Sequence, residues 1–154
     1  CALLAAPLSA AGKRQVYTDG PNPVLFHASG EQLPKLFPVG TPRAAIHARF
    51  GQPWETDAST RTEIFGYSML SMQMTGRRAS VDATRIVRAH VTFDENDRVA
   101  KVTPSTFEHW VRTEKGVVIE DRAPTPQEIA EHLQPLDPAK IEALIAAGYP
   151  ADTP

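Results

Sequence analysis

Imidazole, carboxylate and thiol side chains are the groups in this chain that could move protons, hold a metal or form a covalent bond, and their spacing decides which. The five histidines, His27, His47, His90, His109 and His132, stand too far apart for a local metal motif of the H-E-x-x-H kind. Each is read as a half-exposed side chain. Glu108, His109 and Asp94 can meet only if the fold brings them together, which sequence alone does not show. The glycines form no phosphate-cradling loop, and there is no G-x-S-x-G elbow. The expectation is a chain that binds rather than catalyses, with no cofactor and no metal.

Cys1 is the single cysteine, which excludes an internal disulfide and a zinc site built of cysteines. At the head of the chain it is the expected site of lipidation, because bacterial lipoproteins begin with a diacylated cysteine. Ala2 is compatible with outer-membrane sorting. The acyl chains would then be the membrane anchor. The competing expectation makes residues 1–12 the tail of a secretory signal, with Ser9-Ala10-Ala11 as an A-x-A-like cleavage site. Either way the domain is expected in the periplasm. No other stretch approaches the ~20 apolar residues of a membrane-spanning helix.

The length of 154 residues suits one compact domain with appendages, and fourteen prolines call for much irregular chain. The formal net charge of -2 argues against a nucleic-acid binder. Charge is unevenly spread: residues 1–101 hold 12 Lys and Arg against 9 Asp and Glu, and residues 102–154 hold 4 against 9. The body is mildly basic and the tail acidic.

A short helix is written out between Gly40 and Pro53. Thr41 is placed to cap it, Pro42 suits its first turn, Ile46 and Phe50 share one face, and Gly51 with Pro53 stops it. Two turns of helix are not stable alone, so that face must be buried on something larger. A strand supplies the surface: from Ile86 to Asp94, Val87, Ala89, Val91 and Phe93 alternate with Ile86, Arg88, His90 and Thr92. The turn-forming residues Asp94 to Asp97 lead into a second β-prone run, Arg98 to Thr103, which makes an antiparallel hairpin. Thr62 to Leu70 is an earlier strand. Residues 72–83 read as a long connection carrying Met72, Met74, Arg77 and Arg78. Its arginines suit acidic headgroups or an acidic partner, or simply face water.

Ahead of the helix, Val24, Leu25 and Phe26 form an apolar cluster that either covers a core edge or meets a partner. Ser29 to Gln32 is a capping box, and Pro34 limits the helix it opens to a short or 3-10 one with Leu33, Leu36 and Phe37 on one face. After residue 103, Phe107 to Arg112 and Val117 to Ile119 read as a hairpin turning at Glu114-Lys115-Gly116, with Trp110 as its anchor. Thr125-Pro126-Gln127-Glu128 is a capping box opening a helix with Ile129 and Leu133. Asp137-Pro138 opens another, with Ile141, Leu144 and Ile145 on its apolar face and Gly148 at its end. These tail helices either enlarge the core or dock on a partner, oriented by Glu128, Glu131 and Glu142.

The spacing G-x-x-x-x-x-I-x-x-x-F-G-x-P over Gly40 to Pro53, the strand around Tyr67, and Val91-Thr92-Phe93-Asp94-Glu95-Asn96-Asp97-Arg98-Val99 resemble the SmpA/OmlA family of outer-membrane lipoproteins. The resemblance runs from about Val16 to Thr103. It implies two short helices packed on a three-stranded antiparallel sheet, a layer also used by β-lactamase inhibitor proteins, and it implies no enzyme. Two departures stand out: Thr41 lies one residue earlier than in the family, and Phe65-Gly66 replaces the usual tryptophan neighbourhood before the tyrosine.

The expectation is therefore an α+β fold with a tether and approach segment over residues 1–28, an SmpA/OmlA-like domain over 29–103, and an extension over 104–154 holding a hairpin and two helices. As the resemblance implies, the chain would be a lipid-anchored periplasmic scaffold binding an envelope complex such as the β-barrel assembly machine. The alternatives are an inhibitor or regulator of a periplasmic enzyme and an accessory subunit of a secretion or pilus apparatus. The partner-binding candidates are Val24, Phe26, Met72, Met74, Arg77, Arg78, Ile141 and Leu144, with Cys1 for lipidation.

Overall fold

The computed structural model describes residues 13–76, 78–104, 109–113, 116–120 and 125–150. In chain order the elements are β1 (Lys13–Asp19), 3-10 turns at Pro23–His27 and Leu33–Leu36, α1 (Arg43–Phe50), β2 (Glu55–Asp57), β3 (Thr62–Thr75), β4 (Arg78–Phe93) and β5 (Val99–Pro104). The β6 (His109–Thr113) and β7 (Gly116–Glu120) strands come next, then α2 (Pro126–His132) and α3 (Pro138–Ala147). Among the described residues five strands make an antiparallel sheet in the order β1-β3-β4-β5, with β2 beside β3, and β6 pairs with β7 in a second, two-stranded sheet. This is the expected α+β class, with two more strands in the sheet than the three anticipated.

Along β4 the period of two is met: Val87, Ala89, Val91 and Phe93 are buried, while Ile86, Arg88, His90 and Thr92 are half-buried. Its hairpin partner β5 sets Val102 opposite Val91 and Thr103 opposite His90. The long connection expected over residues 72–83 is instead strand. Both β3 and β4 run on until only Gly76 and Arg77 separate them, with Gly76 at φ +61. A positive-φ glycine is what lets so short a connection close.

Contacts divide the chain into two compact units. One comprises residues 1–18, 69–85 and 107–135. In it Met69, Ser71, Ala83, Thr84, Arg85, Ile129 and Leu133 are buried. The α2 helix starts as the sequence requires: Glu128 N donates to Thr125 Oγ1 at 3.2 Å, and Thr125 N donates to Glu128 Oε2 at 2.8 Å. On β1, Arg14 donates to the Glu131 carbonyl at 3.0 Å and pairs with Asp82 at 3.8 Å. The β6–β7 hairpin sets Trp110 opposite Ile119 and Thr113 opposite Gly116.

The other unit comprises residues 19–68, 86–106 and 136–154, so the two tail helices fall in different units. Its core is aromatic at the centre, with Phe37 4.8 Å from Phe50 and 5.6 Å from Phe65 between ring centroids. The face read from the sequence is intact: Ile46 and Phe50 of α1 and Leu33, Leu36 and Phe37 of the preceding turn are all buried. Ser29 and Gln32 exchange the two expected capping bonds, at 2.9 and 3.2 Å, and Pro34 holds the adjoining turn to 3-10 geometry.

The start of α1 departs from expectation. Thr41 does not cap the helix; its hydroxyl donates to the Pro38 carbonyl at 2.7 Å. Pro42 is extended and bridged to Arg98, which ties the helix entry to the β4–β5 turn and moves the cap to Pro42. Gly51, at φ +73, ends the helix as its position implies.

Candidate functional site

The second unit carries an apolar groove of about 450 Å³ lined by Val24, Arg49, Phe50, Lys140, Ala143 and Leu144. Three elements build it. The 3-10 turn presents Val24, the end of α1 presents Arg49 and Phe50, and one flank of α3 presents Lys140, Ala143 and Leu144. Two positive charges thus rim an otherwise apolar surface.

Placement of α3 decides whether the groove exists, and polar bonds fix that helix at both ends. At its start, Asp137 N donates to Nδ1 of the buried His27 at 2.9 Å, and midway along it Gln32 Nε2 donates to Glu142 Oε1 at 2.8 Å. At its end, Arg49 donates to the carbonyls of Leu144 and Gly148, placing a guanidinium where the helix dipole is negative. The same guanidinium lies 3.9 Å from the centre of the Tyr149 ring, and the Tyr149 hydroxyl donates to the Leu36 carbonyl at 2.7 Å. Burial pushes the Tyr149 phenol up to about 12, against a smaller opposing pull from Arg49. Between these ties Ile141 is fully buried.

Of the partner-binding candidates, the fold brings Val24 and Leu144 together in this groove. Phe26 and Ile141 are corrected to core: they are 1% and 0% exposed, and Phe26 packs edge-on against Tyr67. Side chains this deep present no surface to a partner. Met72 and Met74 are half-buried strand residues of β3, in the first unit, rather than loop residues. Arg78 opens β4, and Cys1 and Arg77 lie outside the described residues.

One chemical grouping was not legible in the sequence. Glu63 of β3 is buried, and His47 Nε2 of α1 approaches its two oxygens at 2.7 and 3.1 Å. Arg43 Nε stands 3.3 Å from the same carboxylate, while Arg43 Nη2 reaches Asp97 at 3.4 Å and its guanidinium lies over Phe93. Arg43, Glu63 and Asp97 edge an open polar cavity of about 370 Å³ that also meets Asp57, Arg61 and Glu95. Imidazole against carboxylate can serve proton transfer, but here both carboxylate oxygens are occupied by cationic or imidazole partners. The arrangement clamps α1 to β3 and to the β4–β5 turn. The only hint in the sequence is that position 63 places a charge between Thr62 and Ile64 on a strand. His27 is likewise buried rather than half-exposed.

Among the described residues no group of three or more His, Cys, Asp and Glu side chains is arranged to hold a metal, and no helix is long and apolar enough to cross a membrane. Compared with family models, with curated proteins and with solved structures, the chain gives no match.

Proposed function

We propose that this chain is a non-enzymatic protein-binding subunit of a cell-envelope complex, the role that its resemblance to SmpA/OmlA proteins implies, and that it docks its partner in the Val24–Leu144 groove. The observation that carries the docking surface is the groove itself: apolar side chains left open at its centre, on a helix pinned by polar bonds at both ends. Preformed apolar concavities with a few charged groups at the rim are the usual form of a binding site. Arg49 and Lys140 suit a partner segment that carries an acidic residue beside an apolar one. Helix-in-groove docking meets those requirements with apolar anchors one turn apart.

The test compares the full chain with Leu144→Glu as baits for the subunits of the β-barrel assembly machine, bound proteins being identified by mass spectrometry. Leu144 is half-buried, so the variant keeps the core intact. Recovery of those subunits by the wild type and not by the variant supports both the role and the groove. Equal recovery by both removes the groove from the interface. Recovery by neither removes the assembly-machine role.

A further inference from the structure

The β1 strand ends the sheet, and among the described residues its outer edge has no strand beside it. A free edge offers a row of unpaired amide and carbonyl groups, a ready template for another strand. From Arg14 to Asp19 every residue is exposed, and Val16 and Tyr17, 49% and 51% exposed, are two of the three large apolar side chains left open to solvent among the described residues. Native edges are often protected by inward or repelling charges. Here Arg14 is occupied inside its own unit by Asp82 and the Glu131 carbonyl.

We propose that β1 pairs antiparallel with β1 of a second copy of this chain, joining two sheets edge to edge about a two-fold axis at Val16. The sequence of the strand, Lys-Arg-Gln-Val-Tyr-Thr-Asp, selects that occupant. All seven residues are paired only when the axis passes through the midpoint, which sets Val16 opposite Val16 and Gln15 opposite Tyr17. The same register places position 13, a lysine, opposite Asp19 at both ends of the ribbon. Opposite charges at the ends and an apolar pair at the centre are what stabilise cross-strand neighbours. A parallel pairing would instead set like residues side by side along the strand, lysine against lysine and aspartate against aspartate. No residue of β1 lines the groove, and the proposal does not rest on it.

The experiment is sedimentation of the full chain over a concentration series, with Val16→Lys, Val16→Glu and an equimolar mixture of the two. Far-ultraviolet circular dichroism of each variant checks that it is folded. The wild type should shift from the mass of one chain to that of two. Each variant alone should weaken dimerisation by about tenfold or more, because identical charges meet at the axis, and mixing them should restore the dimer. A wild type that keeps the mass of one chain throughout overturns the proposal. So does a dimer indifferent to Val16→Lys, and a mixture of folded variants that stays monomeric overturns the register.

Discussion

The indole of Trp54 lies over Gly66, and the missing side chain is what admits it: a Cβ at Gly66 would stand 2.7 Å from Trp54 Cζ3 and 2.8 Å from the Val87 carbonyl oxygen. The backbone N of Trp54 also donates to the Ile64 carbonyl at 2.7 Å, and the Arg88 guanidinium lies 5.5 Å from the centre of the indole. Gly66→Ala should therefore destabilise the protein by about 1–3 kcal/mol, the usual cost of overpacking. In a Trp54→Ala background the same change should cost less, though not zero, since the Val87 carbonyl remains. Urea unfolding of the four proteins in this cycle measures the coupling, and equal costs in both backgrounds would remove the Trp54 contact as the cause.

Glu63 is 5% exposed in its side chain, whereas Arg43 and His47 are 34% and 27% exposed. Removing the carboxylate leaves a guanidinium and an imidazole that water can reach. Removing both partners strands a buried carboxylate with no such relief. Glu63→Gln should cost about 1–2 kcal/mol, and the double variant Arg43→Ala with His47→Ala about 3–5 kcal/mol. Thermal melts that rank them the other way would show that the clamp is not the carboxylate's burial.

Ile141 and Leu144 lie on the same helix one turn apart, and of the two only Ile141 is fully buried. Ile141→Ala should lower stability by about 2–5 kcal/mol, while Leu144→Ala should stay near ~1 kcal/mol. Denaturant midpoints separate the two outcomes. A large loss at Leu144 would place it in the core and close the groove to a partner.

Burial holds the Tyr149 phenol up to about 12 against its usual 10. Below the usual value both folded and unfolded states keep the proton, and this group adds no pH dependence. Between the two values the unfolded state releases its proton and the folded state does not, so stability falls as pH rises. Tyr149→Phe should remove that part of the alkaline loss, at a cost of about 1 kcal/mol at neutral pH for the bond to Leu36. Unfolding on both sides of about pH 10, wild type against variant, reads it directly. Parallel alkaline slopes would contradict it.

The sequence by itself determined the local elements of this protein. The capping pairs Ser29–Gln32 and Thr125–Glu128, the glycine stops at Gly51 and Gly148, the apolar faces of Ile46 with Phe50 and Ile129 with Leu133, and the β4–β5 hairpin are set by interactions among residues near in the chain. Such interactions leave a pattern of fixed spacing. Only the tertiary structure decided what those elements meet. Gly66 becomes intelligible once Trp54, twelve positions earlier, is laid across it. The Glu63 clamp joins a strand to a helix and to a turn, and no spacing announces it. Val24 and Leu144, far apart in the chain, share one groove, whereas Phe26 and Ile141, their near neighbours in sequence, are buried. Helical and strand periods show which residues lie on one face, but whether that face is covered depends on segments brought together only by folding.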